Sequence, residues 1–229
     1  MRKPNLSREM LKIIACATMV LDHIGAVFLP WDGLRIIGRI SFPIFCFLLA
    51  EGAEHTRNPG RYALRLLLIA ALAELPYDIL FHGGVRWQNQ SVMLTLLIGL
   101  LTLRGMMKWK TWKLPIVCAG YLLAELLGSD YGGTGVLLIC LFAFTEKLSQ
   151  RGLFRTAGMV CLFLLMNSYS VSVFGLSIPV QLFGTAAMLP ISCYTGLTGK
   201  RRGWVKWGFY LFYPAHLAIL LAVRWILKM

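Results

Sequence analysis

Apolar runs close to 20 residues long recur from one end of the sequence to the other, and no other feature constrains the fold as tightly. A helix rises about 1.5 Å per residue, so roughly 20 apolar residues cover the hydrocarbon layer of a bilayer. Such runs are read at 10–29, 35–53, 61–81, 89–103, 114–127, 133–147, 152–168, 176–196 and 204–226. They predict an all-α fold: a polytopic membrane helix bundle of about nine transmembrane helices, forming one domain over 1–229. The fourth and fifth runs are short, as tilted, broken or re-entrant segments are. Only 14% of the residues are charged against 58% hydrophobic, too little charge to wet the surface of a soluble domain of this length.

The charges that remain are sorted. A formal net charge of +13 would suit nucleic acid in a soluble protein, but here the basic residues fill short gaps between apolar runs. No stretch of interleaved aromatic and basic residues accompanies them, so no nucleic-acid partner is expected. Arg2, Lys3, Arg8 and Lys12 precede the first run, and Arg57, Arg61 and Arg65 surround the second gap. Arg104, Lys108, Lys110 and Lys113 fill the fourth gap, Lys147, Arg151 and Arg155 flank the sixth, and Lys200, Arg201, Arg202 and Lys206 fill the eighth. The odd-numbered gaps hold only Arg35, Arg39 and Arg86. Basic residues in every second gap place the N-terminus in the cytoplasm and predict an odd number of crossings of the cell membrane. The first run ends at Pro30-Trp31-Asp32 without a small-residue cleavage site, so it is read as a retained span. Cys16, Cys46, Cys118, Cys140, Cys161 and Cys193 all lie in apolar runs with no paired spacing, which makes them small hydrophobes and predicts neither disulfides nor a metal site.

Ionisable groups inside the runs are the functional signal, since each costs about 2.5–3.5 kcal/mol to insert. They are Asp22 and His23 in the first run, Arg39 in the second, Glu74 and Asp78 in the third, Glu125 in the fifth and His216 in the ninth. Counted from the cytoplasmic ends, Asp22, His23, Glu74, Glu125 and His216 all fall about 16–20 Å deep. One layer of charge at matched depth predicts side chains that face each other around a cavity. Plainer roles stand beside that one. Asp22 could simply neutralise Arg39, and Glu74 and Asp78, four residues apart on one helical face, could do no more than hold Arg35 or Arg39. Glu125, near the end of a short run, reads as structural. A lone membrane histidine is a packing residue; two at matched depth beside carboxylates point to proton transfer.

A second cluster sits at the cytoplasmic rim: Glu51, Glu54 and His55, then Arg57, Arg61 and Arg65. If helical, the three arginines spaced by four form one basic stripe suited to phosphate groups. The alternative is a topology signal that meets anionic lipid headgroups.

Four stretches carry a family resemblance: LKIIACATMVLDHIGAVF, GRISFPIFCFLLAEGAEHTRNPGRYALRL, ELPYDILF and GFYLFYPAHLAIL. Together they resemble the TraX family, whose founding members are conjugal-transfer proteins that acetylate pilin. The last stretch is also similar to the Tyr-rich late helix of membrane acyltransferase family 3. The resemblance implies an acetyltransferase that takes acetyl-CoA on the cytoplasmic face and passes acetyl to an amine on the far side, in TraX-like proteins the N-terminus of a pilin subunit. About nine spans is fewer than the ten-helix core usual in acyltransferase family 3.

On that basis His23 is the expected general base, oriented by Asp22, Asp78 or Glu74. Arg39 or His216 would stabilise the thioester oxygen. Arg57, Arg61 and Arg65 would hold the CoA phosphates, with His55 and Glu51 on the same rim. No Cys or Ser sits beside a base, which favours direct transfer over an acyl-enzyme. Three other functions remain open from sequence. An acyltransferase with a glycan or lipid acceptor would use the same chemistry. A proton-coupled transporter would also need intramembrane His and carboxylates, although no inverted repeat or matched pair of broken helices is present. A structural component of a secretion or conjugation apparatus would need none of them as catalysts.

Overall fold

A computed structural model describes residues 5–29, 31–166, 168–173, 175–196 and 203–228. Arg2, Lys3, Pro30, Lys200, Arg201 and Arg202 lie outside the described residues, as does the Lys206 side chain. The chain is mostly helical and packs as two compact units, one of residues 1–48 with 144–202, the other of 49–143 with 203–229.

In the first unit, α1 (Arg8–Val27) starts at Ser7, whose side chain accepts a hydrogen bond from the Met10 amide at 3.2 Å. That cap satisfies one of the amides a helix start leaves open. Just upstream, the Leu6 amide donates to the Cys193 carbonyl at 2.9 Å, so the chain start is tied to the end of the unit. Helix α2 (Asp32–Gly38) folds back on α1, and α3 (Ser41–His55) follows after a two-residue break. The fold-back is close: a Cβ at Gly38 would run into the Asp22 side chain, so only glycine fits there. Ser41 seals the same contact by donating to the Ala15 carbonyl at 2.8 Å.

Helix α8 (Arg151–Leu165) packs on the segment that follows it, and here the structure corrects the sequence expectation. The eighth run, expected as a spanning helix over 176–196, is not one. Strand β1 (Ser170–Val173) pairs antiparallel with β2 (Leu176–Pro179), Ser170 opposite Pro179 and Val173 opposite Leu176. A 3-10 stretch (Val180–Ala187) and α9 (Met188–Ser192) complete the unit. The reason is local. Ser-Val-Ser-Val alternates with period two, and Gly175, at φ +80°, takes the left-handed turn a side chain resists. The bundle is therefore not purely α-helical.

The second unit is built around α5 (Val92–Lys108), buried on almost every side. It packs against α4 (Pro59–His82) and α6 (Lys113–Leu126), and α4 also packs on α10 (Gly203–Ile226). Among lipid-exposed helices the hydrophobic effect does not favour one apolar surface over another, so small residues that let backbones approach become the cohesive element. Gly99 lies against Ile139 of α7 (Gly132–Thr145), and Gly120 of α6 lies against Thr102. The fourth and fifth expected runs are thus continuous helices. The helices alternate in direction. The second and fourth gaps meet where Arg104 donates to the Ala53 carbonyl at 3.2 Å. At the other end, the Gln90 amide donates to the Gly128 carbonyl at 2.8 Å, and Arg224 reaches the Leu80 carbonyl at 2.6 Å.

Eight of the nine expected runs fall on helices. Among the described residues, three segments can cross a bilayer by length and composition: Arg8–Val27, Asp32–His55 and Trp207–Ile226. Helix α4 has the length, at 24 residues, but carries Arg61, Arg65, Glu74 and Asp78. Its Leu64, Leu67, Leu68, Leu72 and Leu75 are nevertheless exposed along one side, the apolar stripe a helix presents to acyl chains. The protein is a membrane-associating helical protein.

Candidate functional site

The polar groups of the first unit converge on Asp22, placed by α1 one turn from its end. Arg35 of α2 donates to one carboxylate oxygen at 2.7 Å and, with the same nitrogen, to the Asp22 carbonyl at 3.1 Å. Arg39, at the end of α2, donates to the other oxygen. The side chains are only 11% (Asp22), 8% (Arg39) and 23% (Arg35) exposed. A charge so buried is tolerable only when paired. Two guanidiniums on one carboxylate leave these three residues with a net positive charge. Asp22 is therefore the partner of Arg39, as its structural role supposed, and of Arg35 as well, and it orients Arg39. His23 follows it on α1, half-buried, about 100° further round the helix.

The second unit holds the other expected acid–base residues. Glu74 and Asp78 lie on α4 on either side of Pro76. The Ser91 amide donates to Glu74 at 3.1 Å, and the Arg86 amide to Asp78 at 2.9 Å. Neither pairs with a lysine or arginine among the described residues. Asp78 is 1% exposed, and its second oxygen has no hydrogen-bond partner among the described residues. On α10, His216 puts Nδ1 2.9 Å from the Phe212 carbonyl. A carbonyl only accepts, so Nδ1 carries the proton and Nε2 holds the lone pair in the neutral ring. The imidazole stacks on Phe212 at 5.1 Å and meets the edge of Tyr213 at 5.4 Å. Glu125 accepts from the Gly133 amide at 2.8 Å and closes the turn between α6 and α7, a structural role.

The rim residues part company. Asn58 caps α4 by accepting from the Arg61 amide at 3.0 Å, and Pro59 occupies its first turn. The helix begins there, so Arg57 lies outside it and the stripe of three reduces to Arg61 and Arg65. Arg65 is sandwiched between the Tyr62 and Tyr210 rings at 5.7 and 5.6 Å. His55 donates from Nδ1 to the carbonyl of Glu51 at 2.9 Å, closing the last turn of α3. Arg57 and Arg61 remain exposed.

Three participants were not singled out as site residues from sequence. Arg35 lay in an odd-numbered gap as an exception to the charge rule, and that exception was the available signal. Arg155 was counted as a flanking charge but is buried, donating to Thr145 at 3.0 Å and lying over the Phe47 ring at 5.4 Å. Tyr213 is buried within electrostatic reach of Glu74, Asp130 and Tyr77. No spacing rule marks it.

Comparison with known proteins gives a consistent picture. The family model described as TraX protein matches residues 7–224. The probable fimbrial assembly protein FimC, serogroup H1, of Dichelobacter nodosus is 29% identical over 245 residues, covering 99% of each chain. Protein TraX of Escherichia coli is 28% identical over 228 residues, 93% of this chain and 85% of the relative. An uncharacterized protein of Rickettsia prowazekii is 28% identical over 93 residues, 40% of this chain and 34% of its own. No solved structure matches.

Proposed function

The chain belongs to the TraX family, and from that premise we propose that it is a multi-pass membrane N-acetyltransferase. It moves acetyl from cytoplasmic acetyl-CoA to an amine on the outer side of the cell membrane, with the N-terminus of a pilin-like peptide as the acceptor. The fimbrial-assembly name of one full-length relative supports a pilin-like acceptor. A cytoplasmic N-terminus fits the alternation of basic gaps.

The observation that carries this reading is the buried Asp22–Arg35–Arg39 group beside His23. Apolar residues would pack at this depth without the insertion cost of two arginines and one aspartate. An excess of positive charge, held rigidly, does suit a step in which negative charge develops. In the transfer, the acceptor nitrogen attacks the thioester carbonyl, the C–S bond breaks, and CoA leaves as its thiol. His23 takes the proton the ammonium must lose first. Arg39, fixed by Asp22, faces the charge that grows on the thioester oxygen. His216 is the alternative base.

The test incubates membranes containing wild type or His23→Ala with acetyl-CoA labelled in the acetyl group. Thiol release and label on added peptide amine, glycan or lipid are followed together. Labelled peptide from wild type, reduced about 10²–10⁴-fold in His23→Ala at equal expression, is the expected result. Labelled glycan or lipid would replace the acceptor. No turnover of acetyl-CoA by wild type would sink the enzyme and leave a proton-coupled transporter.

A further inference from the structure

At one end of the second unit, the first turn of α4 and the last turns of α5 enclose a recess of about 650 Å³. Leu100 and Leu101 form part of its wall, Gly60 lies at the helix start, and Arg104, Lys108 and Trp109 stand around it. No acidic residue lines it. Arg104 uses one guanidinium nitrogen for the Ala53 carbonyl and for a contact with the Met107 sulfur. Its other N–H groups have no protein hydrogen bond among the described residues. Lys108 rests 4.7 Å from the Trp109 ring and forms no ion pair among the described residues. Two cations without a counter-ion, against an apolar wall with an indole at the edge, select an anion attached to an apolar or aromatic body. The fork of Arg104 matches the oxygens of a phosphate, and Lys108 adds a point charge. Of the three arginines first expected to do this, Arg65 is held between two tyrosines, Arg57 lies outside the helix, and Arg61 is exposed.

We propose that this recess binds phosphate groups, and that its ligand is the phosphate-bearing nucleotide half of the CoA donor, with Trp109 available to the adenine ring. This rests on the acetyl-CoA reading above. An anionic lipid headgroup has the same phosphate chemistry, so the test separates the two.

Wild type, Lys108→Gln and Arg104→Gln/Lys108→Gln are reconstituted in phosphatidylcholine nanodiscs and titrated with coenzyme A. Lys108 is exposed and its side chain makes no hydrogen bond or ion pair among the described residues, so Lys108→Gln keeps the fold even if loss of the Arg104 bond to Ala53 does not. Binding weakened about tenfold in Lys108→Gln and about a hundredfold in the double variant is expected. In a second arm, phosphatidylglycerol is added to the nanodiscs, and it is expected not to compete. If wild type and both variants bind coenzyme A equally, the recess is refuted while the acetyltransferase stands. If wild type retains phosphatidylglycerol through Lys108 and binds no coenzyme A, the recess is a lipid site and both proposals fall. Failure to bind either ligand refutes the recess outright.

Discussion

Removing the Asp22 carboxylate should destabilise the first unit more than removing either arginine that it holds. In wild type, one carboxylate answers two guanidiniums, the buried one of Arg39 and the part-buried one of Arg35. Asp22→Ala takes the carboxylate from both, and breaking a buried pair from the shared side is worth about 3–5 kcal/mol. Arg39→Met is different: Asp22 keeps Arg35 at 2.7 Å, so the loss is one charge-assisted hydrogen bond, about 1.5–3 kcal/mol. At about 2–4 °C per kcal/mol for a chain of this size, Asp22→Ala should lower Tm by roughly 6–20 °C, and Arg39→Met by roughly half that. In the double variant the charge of Arg39 is removed together with its carboxylate, so the loss should fall short of the sum by about 0.5–3 kcal/mol. The assay is thermal unfolding of the purified protein in one detergent, followed by circular dichroism, for all four proteins. Two results would refute the reasoning. Arg39→Met as destabilising as Asp22→Ala would mean that Arg35 does not share the carboxylate, and strictly additive losses would mean that the pair is not coupled.

Gly38→Ala puts a Cβ into the Asp22 side chain and should destabilise by about 1–3 kcal/mol, read as a lowered Tm, with acetyl transfer reduced as well because Arg39 loses its anchor. Asn58→Ala removes the cap of α4 and should lower stability by about 1 kcal/mol, read as a lowered Tm. Asp78→Asn keeps an oxygen for the Arg86 amide, so Tm should hold within about 3 °C. A fall in acetyl transfer at unchanged Tm would mark the charge of Asp78, and not its shape, as the working property.

Much of the architecture was legible because lipid imposes a severe filter. A helix crossing hydrocarbon needs length and apolar composition, and both are one-dimensional properties. Hence the runs at 10–29 and 204–226 coincide with α1 and α10, and the alternation of basic gaps agrees with the meeting of the second and fourth gaps at Arg104 and Ala53. The eighth run misled because 176–196 is apolar on average, and average hydropathy does not register the period-two alternation of Ser170 to Val173 or the turn at Gly175. Those signals were in the sequence, just ahead of the run that was read as a helix.

Sequence alone determined that buried charges exist and on which helices. It could not decide their partners. Asp22 and Arg39 are 17 residues apart, and whether the carboxylate reaches Arg35, Arg39, both or His23 depends on how closely α2 folds onto α1. That distance is set by Gly38, whose missing side chain admits Asp22. In the same way the even spacing of Arg57, Arg61 and Arg65 promised one basic stripe, until Asn58 and Pro59 started the helix after the first of them and Tyr62 and Tyr210 enclosed the last. Composition and periodicity fix which solvent each segment prefers. Pairing is decided only in three dimensions, because a salt bridge or an aromatic sandwich depends on a few ångströms of backbone approach that no spacing along the chain encodes.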